Sequence, residues 1–148
     1  RVVTESAAIC AYLADAFPDA GLAPTPEERA DYYRWMFFGA GPLEAAITNR
    51  SMGFEPTEKQ SGMIGYGNYD LTVSVLESWL AERSYVCGER FTMADVYVGS
   101  QVDWGVQFDT LPKRDVFKAY AERLRARDPY KKAKARDASL IAEMKTES

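Results

Sequence analysis

With 148 residues, 47% of them hydrophobic, the chain is long enough for one full domain and apolar enough to bury a core, which excludes global disorder. A formal net charge of -4 argues against a dedicated nucleic-acid binder. The absence of histidine excludes His-based metal sites, Ser-His-Asp triads and Cys-His dyads, and the two cysteines, Cys10 and Cys87, form neither a disulfide framework nor a metal motif.

Arg1-Val2-Val3-Thr4 is a short β-branched run and reads as a strand. Glu5-Ser6 then opens a helix in which Ile9, Leu13 and Phe17 recur as one apolar stripe. Pro18 ends it. Residues 18–26 carry three prolines and a glycine and read as a linker. Thr25-Pro26-Glu27-Glu28 is a capping box with proline at the first helical position, and its helix is expected to run to about Asn49. Gly39-Ala40-Gly41-Pro42 interrupts that helix. Pro42 has no N–H and clashes with the carbonyl four residues back, so a kink is expected near Phe38. The two glycines admit either the close approach of another helix or a cavity.

Thr57-Glu58-Lys59-Gln60 caps a third helix, expected to reach Glu82, with Gly62, Gly65 and Gly67 weakening its first half. Leu71, Val75, Leu76, Trp79 and Leu80 give the second half an apolar stripe. Thr92 starts a fourth helix through Val96, Val98, Val102 and Trp104. Pro112 opens a fifth, and Asp128-Pro129 a sixth that frays into a polar tail. Beyond residues 1–4 no segment has a period of two, so the domain reads as all-α. Residues 113–136 hold ten Lys/Arg against three Asp/Glu. That block is either a solvated helical face or a docking patch for an acidic partner or anionic ligand. No segment reads as a signal peptide or membrane span, and the default compartment is a reducing cytoplasm.

Two local patterns carry chemistry. A Glu5-Ser6 pair at a helix start suits a small zwitterion. Free N–H groups and the helix dipole attract a carboxylate, the Ser6 hydroxyl adds a donor, and the Glu5 carboxylate can pair with an ammonium. The plainer alternative is that Thr4 or Ser6 only caps the helix. The second pattern is Tyr85-Val86-Cys87-Gly88-Glu89-Arg90-Phe91-Thr92-Met93-Ala94-Asp95-Val96. Here Thr92 is the N-cap, Asp95 completes a capping box, and Phe91 and Val96 are spaced for a hydrophobic staple.

The second string resembles a signature of the all-helical domain of glutathione transferases. Glu5-Ser6-Ala7-Ala8-Ile9-Cys10-Ala11-Tyr12-Leu13, followed by a proline-rich linker, resembles the last helix of the thioredoxin-like domain of the same family, in a bacterial cytosolic form. The resemblance covers essentially the whole chain. It implies a thioredoxin-like remnant at residues 1–17, a linker at 18–26 and a helical C-terminal bundle at 27–148. It places Glu5 and Ser6 on the γ-glutamyl end of glutathione, a co-substrate, and keeps Thr92 and Asp95 as a structural capping box. It implies no metal, no nucleic-acid or membrane partner, and a cytoplasmic homodimer in detoxification, with Tyr32, Arg34, Tyr66 and Tyr69 at the interface. Phe38, Gly41, Pro42 and Glu44 on the kinked helix, with Trp104 and Phe108 opposite, are the expected walls of a pocket for a hydrophobic electrophile. For these residues core packing is the alternative. An acid at Glu44 would bias the choice of electrophile.

The resemblance implies no catalytic residue in this chain, because the family's thiol-activating Tyr, Ser or Cys lies near the start of the thioredoxin-like domain. A glutathione-dependent isomerase, reductase or dehalogenase on the same scaffold, or a non-enzymatic interaction module, stays open.

Overall fold

The computed structural model describes residues 2–146. Its helices are α1 (Ser6–Ala16), α2 (Arg29–Phe38), α3 (Glu44–Ser51), α4 (Glu58–Ser61), α5 (Tyr69–Ala81), α6 (Met93–Gln107), α7 (Asp115–Arg125) and α8 (Asp128–Thr146). No strand occurs among the described residues, and the bundle is all-α as its sequence predicts. The strand expected at residues 1–4 is a correction. Residues 2–4 have no regular structure and Arg1 lies outside the described residues, since a strand needs a neighbour to complete its backbone hydrogen bonds.

Helix α6 is the axis of the fold and packs on α1, α2 and α7. Ala94, Val98 and Val102 on it are fully buried and meet Trp35, Leu43, Leu76, Phe117 and Tyr120 in one core. The expected Ile9–Leu13–Phe17 stripe of α1 faces outward instead. The buried face of α1 is the one formed by Ala7, Cys10, Ala11 and Ala14, which obeys the same helical period. These small side chains pack α1 against α6.

The kinked helix forms as a π-helical turn, Gly39–Leu43, spliced between α2 and α3. A π-turn absorbs the missing donor of Pro42 without ending the helix. Each glycine answers a different alternative. A Cβ on Gly39 would lie 3.0 Å from Tyr97 Cε1, so α6 closes on it, whereas one on Gly41 would meet nothing within 4 Å. The expected third helix is broken. Its capping box at Thr57 and Gln60 forms, but α4 stops at Ser61, and the chain restarts at α5 with Asn68 accepting the Leu71 N–H at 2.8 Å. The glycines of residues 62–67 carry too little helical propensity to bridge the gap.

The turn leading into α6 is held by Asp95. Its Oδ2 accepts the Thr92 N–H at 2.8 Å and closes the expected capping box. Its Oδ1 accepts the Val86 N–H at 2.7 Å and the Tyr120 hydroxyl at 2.8 Å. Residues 18–26 are pinned to the same turn. Arg90 donates to the carbonyls of Gly21 and Ala23 and forks onto the Glu28 carboxylate, and the Met93 N–H reaches the Leu22 carbonyl at 2.9 Å.

Two of the tyrosines expected at a dimer interface are unavailable for one. Tyr32 and Tyr66 are 2% and 8% exposed and belong to the chain's own interior. Tyr69 spends its hydroxyl on the Thr110 carbonyl at 2.8 Å, and Arg34 remains exposed, stacked over Trp79.

Candidate functional site

The start of α1 is bare. No side chain caps it, so neither Thr4 nor Ser6 takes that role, and the first-turn N–H groups are left to solvent or a ligand. Both Glu5 and Ser6 are exposed. Glu5 stands at φ 67° and ψ 118°, a conformation that costs an L-residue about 1–3 kcal/mol. Its carboxylate makes no capping bond to those N–H groups. An anion-attracting helix end, a hydroxyl donor and a carboxylate therefore lie within two consecutive residues.

A cleft of about 310 Å³ opens between α3 and α6. Glu44, Ile47 and Thr48 line it from α3, Ser100, Gln101 and Trp104 from α6, and Thr110 closes one end. Trp104 is 59% exposed and stacks on Phe108 with ring centroids 4.3 Å apart. The volume suits one small aromatic molecule.

Of the expected pocket residues, Glu44 and Trp104 come together across this cleft, whereas Phe108 packs against the Trp104 ring without lining the cleft. Phe38 turns the other way and packs edge-on to Trp35 at 4.8 Å, on the core side. Gly41 and Pro42 belong to the π-turn and do not line the cleft. Ile47, Thr48, Ser100, Gln101 and Thr110 were not foreseen. Positions 44, 47 and 48, and positions 100, 101 and 104, are helix-face spacings that would have identified them once two helices were known to face each other.

Tyr97 links the two places. Burial pushes its hydroxyl pKa up, and the negative charges of Glu44 and Glu5 both act on it in the same sense. The ring packs against Gly39, so the π-turn sets its position. Cys10 on α1 also acts on Tyr97; burial raises the pKa of its thiol, which keeps it protonated and inert. Cys87 is half-buried, like Cys10; burial pushes its thiol pKa up to about 11, and its Sγ lies 3.6 Å from Thr92 Oγ1. Among the described residues no group of three Cys, Asp or Glu is placed to hold a metal ion, and no helix is long and apolar enough to cross a membrane.

Bundle and site define a helical domain with an uncapped, exposed start of α1 and a cleft between α3 and α6. Residues 46–128, more than half the chain, match the family model "Glutathione S-transferase, C-terminal domain", and the chain belongs to that family. Glutathione S-transferase GstA of Escherichia coli O157:H7 is 27% identical over 105 residues, covering 70% of this chain and 51% of that protein. Elongation factor 1-gamma of Trypanosoma cruzi is 28% identical over 130 residues, covering 80% of this chain and 31% of that protein. The chain thus spans about half the length of one relative and under a third of the other. Among solved structures, a glutathione transferase from Methylococcus capsulatus superposes with a TM-score of 0.68 at 28% identity, over 90% of this chain and 66% of that one. A theta class enzyme from Xanthomonas axonopodis pv. citri, solved with glutathione bound, gives 0.63 at 25% identity, over 89% and 73%.

Proposed function

We propose that this chain is the helical half of a glutathione transferase, with residues 1–17 the end of a thioredoxin-like half, 18–26 the connection and 27–148 the helical domain. The observation that carries the reading is the start of α1: uncapped, exposed, and built on a strained Glu5. A helix end that served only packing would be capped and relaxed.

In this reading the α1 N–H groups and the Ser6 hydroxyl hold the α-carboxylate of the γ-glutamyl residue. The Glu5 carboxylate pairs with the neighbouring ammonium. These bonds fix the tripeptide so that its sulfur points toward the α3–α6 cleft. The electrophile lies on the Trp104–Phe108 shelf. Holding the two reactants side by side supplies a proximity contribution. The thiolate forms a carbon–sulfur bond, and the displaced electron pair leaves with the departing group or moves onto the acceptor. Lowering the thiol pKa is the task of the thioredoxin-like half. Conjugation, isomerisation, reduction and dehalogenation all begin from this arrangement. A homodimer in the cytoplasm, with Arg34 of α2 near the contact, completes the proposal.

One observation favours a second reading, that of a protein-interaction module. The likeness to elongation factor 1-gamma covers 80% of the chain. The basic block does not strengthen it, because much of its charge is spent internally. Arg114 pairs with Glu77, Arg125 with Asp103 at 2.5 Å, Arg123 donates to the Ser84 carbonyl at 2.6 Å, and Arg127 lies over Phe91. Retention of the full-length protein on glutathione-agarose separates the two. The transferase reading expects retention that Ser6→Ala abolishes. Passage of the wild type through the column, with salt-sensitive capture of a protein partner, would favour the module.

A further inference from the structure

The cleft between α3 and α6 is electrically one-sided. Glu44 is the charged residue in its lining, and no Lys or Arg lines it. No ion pair reaches Glu44 among the described residues, and its side chain is exposed. The nearest basic residue on the same helix, Arg50, is committed elsewhere. It lies 4.1 Å over the Tyr69 ring and 3.8 Å from Asp70, and lines the adjoining polar cleft.

On the facing wall, α6, a polar side chain is tied down. Gln101 donates its Nε2 to the Gly39 carbonyl at 3.1 Å, which fixes the amide, while its Oε1 is buried without a hydrogen-bond partner. The platform beside it on α6 is aromatic. Trp104 lines the cleft and is 59% exposed, with Phe108 packed against its ring, and an aromatic ring attracts cations through its quadrupole.

We propose that this cleft selects aromatic co-substrates that carry a positive charge. An unpaired carboxylate and an aromatic platform both favour a cationic ring, and both act against an anionic one. Glu44 is then the specificity-determining residue and Trp104 the platform. This rests on the cleft being the co-substrate site of the proposed transferase.

The test uses three two-ring probes of similar size: N-methylquinolinium, 1-methylnaphthalene and 1-naphthoate. Their binding to the full-length protein, saturated with glutathione, is measured by equilibrium dialysis. The expected order is cation, then neutral, then anion, with about a tenfold step between the first two. Glu44→Gln should erase that step and leave 1-methylnaphthalene unchanged, while Trp104→Ala should weaken both. Equal binding of the cation and the neutral probe, or a preference that survives Glu44→Gln, would overturn the inference and leave the co-substrate site standing. Binding of none of the three would remove the co-substrate site and this inference together.

Discussion

Tyr120 of α7 donates its hydroxyl hydrogen to Oδ1 of Asp95 on α6 at 2.8 Å, and each side chain is only 1% exposed. The same carboxylate takes the N–H groups of Thr92 and Val86, so one buried acid joins the start of α6, the preceding turn and α7. The Trp79 indole adds to the joint by donating to the Val86 carbonyl at 2.9 Å. Tyr120→Phe removes one donor and is expected to cost about 1–2 kcal/mol. Asp95→Ala orphans several donors at once and should cost roughly 3 kcal/mol or more. Urea denaturation of both single variants and the double variant checks this. The double-mutant cycle should show a coupling of about 1 kcal/mol between the two residues, and additivity would mean that the contact carries no energy.

The acid limb of stability should carry two opposing signatures. Burial raises the Asp95 pKa, against the pull of its hydrogen bonds. Asp95 therefore contributes stability that is fully present below the ordinary carboxylate pKa and is lost as pH rises through its raised native value. Glu28 is the reverse. The hydrogen bond from Arg90 lowers its pKa, so its contribution is present above the ordinary carboxylate range and is lost as pH falls through the lowered one. The gap in folding free energy between wild type and Asp95→Asn should narrow as pH rises through the acid range, and the gap to Glu28→Gln should widen. Denaturation midpoints at a series of acid pH values read both.

The two glycines of the π-turn should answer differently to the same substitution. Gly41→Ala places a methyl group in open space and gains helical propensity, so it should stabilise by about 0.5–1 kcal/mol. Gly39→Ala drives a methyl group against the Tyr97 ring, and overpacking of this kind costs about 1–3 kcal/mol. Thermal unfolding of the pair separates close approach from cavity at single-residue resolution.

The sequence disclosed the parts of this molecule that depend on short spacings. The capping boxes at Thr57 and Thr92, the break at Pro42, and the pairing of Glu44 with Trp104 follow from neighbours a few residues apart or from the family pattern. What depends on a distant partner stayed hidden. Nothing near Asp95 announces Tyr120, which lies 25 residues on. The face of α1 that is buried could not be chosen from α1 alone, because Ile9 and Leu13 compete with Ala7 and Ala14 until the packing partner, α6, is known. Phe38 ends α2 and Glu44 starts α3, six residues apart and so on different helix faces, and the ring of Phe38 packs on Trp35 at the core. Gln101 was invisible because its place in the cleft is fixed by a carbonyl 62 residues away, that of Gly39.

The central claim is that the start of α1 grips the charged end of glutathione. Calorimetric titration of glutathione into the full-length protein measures that grip directly. Ser6→Ala and Glu5→Gln should each weaken binding by about 10–100-fold, since each removes a hydrogen bond to a charged group. Glu5→Gly should weaken it as much while leaving the fold no less stable, because glycine relieves the strained φ. Binding by all three variants at the wild-type affinity would contradict the account and leave the strain at Glu5 without a function.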